Sequence, residues 1–167
     1  ISPYIETEAL IKSKSAVAGV LVNGVIASKD KSVSVIHEFM QTGNFENIQT
    51  DNNIVLGRLL ARKLNVDVGD KISLMLPDTS SSFAGYFPRS KVFNISGIFN
   101  IGSKDIDETL AYISLENASI LTGLKNQVHG FRLKFDDLFE APYLVWQSLI
   151  FAEKNSNVLL NAEDWSY

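Results

Sequence analysis

The apolar positions of this chain fall into short runs whose period changes several times. Ile5 to Lys12 and Ala16 to Ala27 are rich in Val, Ile and Ala and flank the polar Ser13-Lys14-Ser15, which predicts two extended strands joined by a turn. Beyond the polar Ser28 to Lys31, the residues Val33, Ile36, Phe39 and Met40 recur at helical spacing and Gly43 stands where a helix would stop. A short amphipathic helix is expected there. Asp51-Asn52-Asn53 breaks the chain, Ile54-Val55-Leu56 reads as a buried strand, and Leu59, Leu60 and Leu64 share one face of a helix opening at Gly57. Gly69-Asp70 is a turn signal, and Lys71 to Leu76 alternates as a strand does.

The pattern then stops from Pro77 to Ser90, which reads as a long loop, and resumes as a strand over Lys91 to Asn100. Ile101 to Glu108 is an acidic turn region, Leu110 to Leu115 a strand, and Glu116 to Leu121 a short helix ending near Gly123. Val128 to Phe135 is expected as a strand with His129, Phe131, Leu133 and Phe135 on one face. Asp137 followed three residues later by Glu140 has the form of a capping box for a helix from about Leu138 to Lys154. Pro142 falls in its first turns, where a backbone N–H has no intrahelical partner to lose. Val158-Leu159-Leu160 is a candidate last strand. Strands and helices interleave irregularly, which predicts an α+β fold rather than a doubly wound sheet.

Composition narrows the function. With 167 residues, 46% hydrophobic and 20% charged, the chain can bury the core of one or two small domains. It has no cysteine, which removes disulfide frameworks, thiol catalysis and thiolate zinc sites. A formal charge of -4 is the wrong sign for tracking phosphate backbones, so no nucleic-acid partner is expected. The longest apolar stretch, Ala16 to Ala27, has about twelve residues where a membrane-spanning helix needs roughly twenty, and Asn23 interrupts it. The first residues lack a starting Met and the charged-then-apolar order of a signal peptide, and read as the interior of a longer chain.

No catalytic set emerges. The Gly-x-Ser-x-Gly elbow is absent, and Ser80, Ser81 and Ser82 have no histidine nearby in sequence, so they read as a solvated loop. His37 and His129 lack the paired spacing of a metal helix and read as packed or surface residues. Asp105-Ile106-Asp107-Glu108 lacks the remaining ligands of a calcium loop, and a single Gly57 is better explained by close packing than by phosphate. No catalytic, cofactor-binding or metal-binding residue is expected.

The loop from Pro77 to Ser90 needs another explanation, because compact domains seldom keep loops this long unless they bind or gate something. Phe83, Tyr86 and Phe87 fit two readings: apolar anchors for a partner, or a lid folded over the domain's own core. Arg89 and Lys91 against Asp78 make the segment basic in an acidic chain, suited to steering an acidic partner.

Two blocks of sequence resemble a known family. Asn53 to Ile72 (NIVLGRLLARKLNVDVGDKI) is similar to the strand-helix-turn signature of periplasmic domains in MacB-like ABC transporter permeases. Phe93-Asn94-Ile95-Ser96-Gly97-Ile98-Phe99, Gly102, Asp107, Leu110 to Leu115 and Gly130 to Lys134 resemble the LolC/LolE lipoprotein-releasing branch. The resemblance implies the large periplasmic domain of an inner-membrane permease, with a porter-like α+β part (1–52 and 136–167) and an inserted β-rich, Sabre-like part (53–135). It also implies a protruding hook loop that docks a periplasmic lipoprotein chaperone. Phe83, Ala84, Gly85, Tyr86, Phe87 and Pro88 stand at the hook, and Arg89 and Lys91 at its supporting pad. Implied partners are that chaperone, lipoprotein substrates, a cytoplasmic ATPase subunit and a paralogous or identical permease. The domain itself is then expected to perform no covalent chemistry. The alternative is an extracytoplasmic domain that senses a small ligand, which predicts a closed apolar pocket between sheet and helix.

Overall fold

The computed structural model describes residues 1–77, 89–135 and 141–156. They belong to two compact units, Ile1–Arg132 and Leu133–Tyr167. The first unit opens with β1 (Ser2–Lys12) and β2 (Val17–Val25), paired antiparallel from Tyr4↔Val25 to Lys12↔Val17. The predicted hairpin is therefore present. Its turn is fastened by Ser13, whose Oγ donates to the Leu64 carbonyl at 2.7 Å.

The expected helix over residues 33–40 is not formed. A four-residue helix α1 (Ala27–Asp30) comes first, a 3-10 turn covers Ile36–Phe39, and β3 (Met40–Gly43) is a short strand. Of the positions that gave the helical spacing only Ile36 is buried, whereas Phe39 is exposed, so no continuous apolar face exists to hold a longer helix. A second 3-10 segment, Phe45–Gln49, is capped by the Asn44 side chain.

Next come β4 (Asn53–Gly57) and α2 (Arg58–Leu64), then β5 (Lys71–Leu76) and β6 (Arg89–Phe99), as the apolar periods predict. The acidic turn holds α3 (Lys104–Thr109), followed by β7 (Leu110–Ser114) and α4 (Leu115–Thr122). Gly123 ends α4 at φ +74°, a left-handed conformation that glycine adopts without strain. Of the strand expected over residues 128–135, only β8 (Gly130–Arg132) pairs, and Phe131 and Leu133 are exposed rather than sharing a buried face.

Six strands close into a barrel in the order β2-β7-β4-β6-β5-β1, with β1 returning to β2. Here β2–β7 and β4–β6 are parallel, while β4–β7, β5–β6 and β1–β5 are antiparallel. β3 adds to β6 and β8 to the start of β1. Closure removes the open edges that would otherwise template aggregation. The barrel interior is filled by Ile5, Ile11, Val22, Leu56, Leu74 and Phe93 among others, with Leu60 and Leu64 of α2 and Ala118 and Leu121 of α4 in the same core. A second core lies under α1 and the 3-10 segments, where Tyr112 meets Phe45 and Phe99 edge-on at 5.3 and 6.0 Å.

In the second unit the described structure is essentially α5 (Ala141–Ser156), with Pro142 in its first turn. Tyr143, Trp146 and Ile150 are exposed along it. Among the described residues no helix is long and apolar enough to cross a membrane. The Asp137/Glu140 capping box and the strand expected at Val158 to Leu160 lie outside the described residues.

Candidate functional site

The segment singled out by sequence is the connection between β5 and β6. These strands pair antiparallel down to Met75↔Ser90 and Leu76↔Arg89, so Pro77 and Arg89 mark its two ends. Phe83, Ala84, Gly85, Tyr86, Phe87 and Pro88 lie outside the described residues, as do the three serines. Arg89 and Lys91 are described, and both rest on α4.

Alternation explains why. Phe93 and Ile95 of β6 point into the barrel, so Lys91 and Arg89 continue the same face beyond its mouth, where α4 is packed. Arg89 Nη1 donates to the Leu121 carbonyl at 3.5 Å, and its guanidinium covers Gly123. A cation there complements the negative end of the helix dipole and one of its free carbonyls. Lys91 Nζ donates to Asn117 Oδ1 and stands 5.9 Å from the centroid of Phe93. Asn117 is buried and passes the contact on, its Nδ2 donating to the Asp51 carbonyl at 3.1 Å. The backbone N–H of Asn117 in turn donates to Ser114 Oγ, the N-cap of α4, at 3.2 Å. The expected pair of basic residues is thus tied to a helix that sequence reasoning had not connected with them. Ser114 three residues ahead of Asn117 was readable as a cap, but nothing in the sequence linked that cap to residue 91.

A groove of about 620 Å³ opens on the outer face of β1, β2 and β5, reaching Pro77. Leu10, Leu21 and Met75 give it an aliphatic lining, Glu8 and Thr109 its polar part, and the absent side chain of Gly19 leaves it open. It lies outside the barrel, whose interior is occupied by packed side chains.

The remaining chemical candidates have structural occupations. Asp107, 2% exposed, accepts the Ile101 and Gly102 N–H groups on its two carboxylate oxygens at 2.9 and 3.0 Å. Asp107 thus fastens the turn at residues 101–102, but the acidic run itself is helical, lying within α3 rather than forming the expected turn. A side chain at Gly57 would collide with the Asp107 backbone, so this glycine permits close approach of α3. His129 Nδ1 accepts the Glu6 N–H at 3.1 Å, and His37 Nε2 lies 3.8 Å from Glu38 Oε1. No group of His, Asp and Glu able to hold a metal ion occurs among the described residues.

No family model matches the chain. It is 30% identical to the lipoprotein-releasing system transmembrane protein LolC of Neisseria meningitidis over 99% of its own length and 40% of that protein. The chain is related to the LolC/LolE permeases. It is 33% identical to LolC of Xylella fastidiosa and 30% identical to LolE of Haemophilus influenzae, covering 84% of this chain and 34% of each relative. The chain thus spans about two fifths or less of the length of these LolC and LolE proteins. The extracellular domain of the noncanonic ABC-type transporter YknZ from Gram-positive bacteria has the same fold. Its TM-score is 0.64 at 10% identity, over 94% of this chain and 75% of that one.

Proposed function

We propose that this chain is the periplasmic domain of an inner-membrane ABC permease that releases lipoproteins and hands them to a periplasmic chaperone docked on the β5–β6 connection. The observation that carries the reading is the LolC relationship, which extends over nearly all of the chain rather than over one motif. The arrangement at Arg89 and Lys91 supports it, because a stem braced on α4 at two points gives the connection a rigid base. In this reading Phe83, Tyr86 and Phe87 are apolar anchors, Ala84, Gly85 and Pro88 shape the loop, and Arg89 and Lys91 form the pad. Residues 1–52 and 136–167 make a porter-like part and residues 53–135 an insertion, the two sharing the barrel through β1 and β2. A cytoplasmic ATPase subunit and a second permease, identical or paralogous, act through membrane segments of the whole protein, and this domain carries out no covalent step.

The test is a pull-down of the purified domain against the periplasmic lipoprotein chaperone, with and without residues 78–87. The intact domain should retain the chaperone and the deletion should not. Equal retention by both would remove the assignment of this loop.

A further inference from the structure

The strand β8 is three residues long and, among the described residues, pairs only with Ser2, Pro3 and Tyr4 of β1. Strands this short hold poorly on backbone bonds alone. Its side chains add little apolar anchorage: Phe131 is 58% exposed, and Gly130 lays its bare backbone on the Tyr4 ring. Arg132 supplies the rest. Its guanidinium stacks 4.7 Å from the centroid of Tyr4 and donates to Asn23 Oδ1. It also lies 3.8 Å from Glu6 Oε2 and 3.5 Å from Asp30 Oδ1. One side chain thus gathers contacts from β1, β2 and α1.

The partner at the end of this network is unusual. Asp30 is 1% exposed and its Oδ1 has no hydrogen-bond partner, so the Arg132 guanidinium at 3.5 Å compensates its burial together with a Ser34 hydrogen bond and the nearby His37. A buried pair of this kind contributes little net stability over apolar packing, and its best attested use is to fix a register or a switch. Just upstream, Val128 packs against the barrel core, so the chain is anchored there independently of β8.

We propose that β8 is a releasable strap, held shut by Arg132, which opens locally while the barrel stays folded. Release moves the point at which the chain leaves the first unit from Arg132 back to Val128. Four residues of tether are then freed, a reach of roughly 13 Å when extended. Opening also uncovers the edge of β1 at residues 2–4 and frees the Glu6 N–H from His129.

The test is amide hydrogen exchange followed by NMR on the full chain and on Arg132→Met, Arg132→Lys and Asp30→Asn. Arg132→Met should speed exchange at Glu6, His129 and residues 130–132 by about tenfold or more, and by a clearly larger factor than at Val55 and Ile113 of the barrel. Arg132→Lys, which keeps the charge but loses the planar fork, should fall between wild type and Met. Asp30→Asn should accelerate the same amides, and with Arg132→Lys it gives the reading if Arg132→Met does not fold. Unaltered exchange at β8, or acceleration spread equally over the barrel, would overturn the proposal.

Discussion

Gly24 of β2 and Ala118 of α4 are in such close contact that a β-carbon on Gly24 would fall inside the Ala118 methyl group. Backbone oxygens of Ile5 and Ser114 lie at ordinary contact distance, 3.5 Å, from the same point. This contact seats α4 on the barrel mouth, and α4 in turn carries Arg89 and Lys91. Gly24→Ala should therefore destabilise the domain by about 2 kcal/mol through overpacking, and Ala118→Gly should recover part of the loss. Urea denaturation of the two single variants and the double variant checks this. Strict additivity would show that the two positions are not coupled.

Asn117 is the link between Lys91 and the Asp51 carbonyl. Asn117→Ala removes an acceptor and a donor from a buried site at once and should cost about 1–3 kcal/mol. Because Lys91 is half-buried and Asn117 is its partner, the same change should also loosen the upper stem of the hairpin. Hydrogen exchange at Ser90 and Lys91 should rise more than at Phe93. A loss of stability with no local change at residues 90–91 would contradict the bracing role.

Asp107 holds the Ile101 and Gly102 N–H groups with both carboxylate oxygens while buried. An amide can accept only one of these bonds and turns its NH2 toward the other donor. Asp107→Asn should lower stability by about 2 kcal/mol, seen as a drop in Tm by differential scanning calorimetry. An unchanged Tm would remove this residue as the pin of the turn.

How far the sequence could be read depended on the range of the interaction. The β1–β2 hairpin, β4 followed by α2, and α4 ending at Gly123 were legible because turn chemistry, period and caps are local. Closure of the barrel was not. It depends on β1 pairing with β5 and β2 with β7, contacts between distant residues that carry no mark in either segment. The helix expected around Ile36 failed because, of the residues that gave its apolar spacing, only Ile36 is fully buried and Phe39 faces solvent. Arg89 and Lys91 were picked out by charge, and their attachment to Leu121 and Asn117 required the fold. The Asp30–Arg132 pair was missed: Arg132 stands in the Gly130 to Lys134 block, but nothing in that block points to Asp30, and 101 positions separate them.

Asp30 also sets a pH dependence. Burial raises its carboxyl above the ordinary 3.8, and the nearby Arg132 charge opposes this without cancelling it. Tyr112 is pushed up to about 12 by its burial and then by the Asp30 charge, and stays protonated. The folded protein holds the Asp30 proton more tightly than the unfolded chain. The carboxyl's contribution to stability is therefore fully present below pH 3.8 and lost as pH rises through the folded value. The difference in unfolding free energy between wild type and Asp30→Asn, measured by urea denaturation, should shift in favour of the variant as pH is raised from 3.8 toward neutral. A difference that stays constant over that range would contradict the assignment.

The central claim is that the β5–β6 connection grips a chaperone while the body of the domain supports it. Calorimetric titration of the periplasmic lipoprotein chaperone into wild type and into the Phe83→Ala/Phe87→Ala double variant tests it most directly, with thermal melts of both proteins alongside. Loss of two apolar anchors should weaken binding by about 4 kcal/mol, close to a thousandfold, with the melting curve unmoved. Equal affinity for the two proteins would contradict the account.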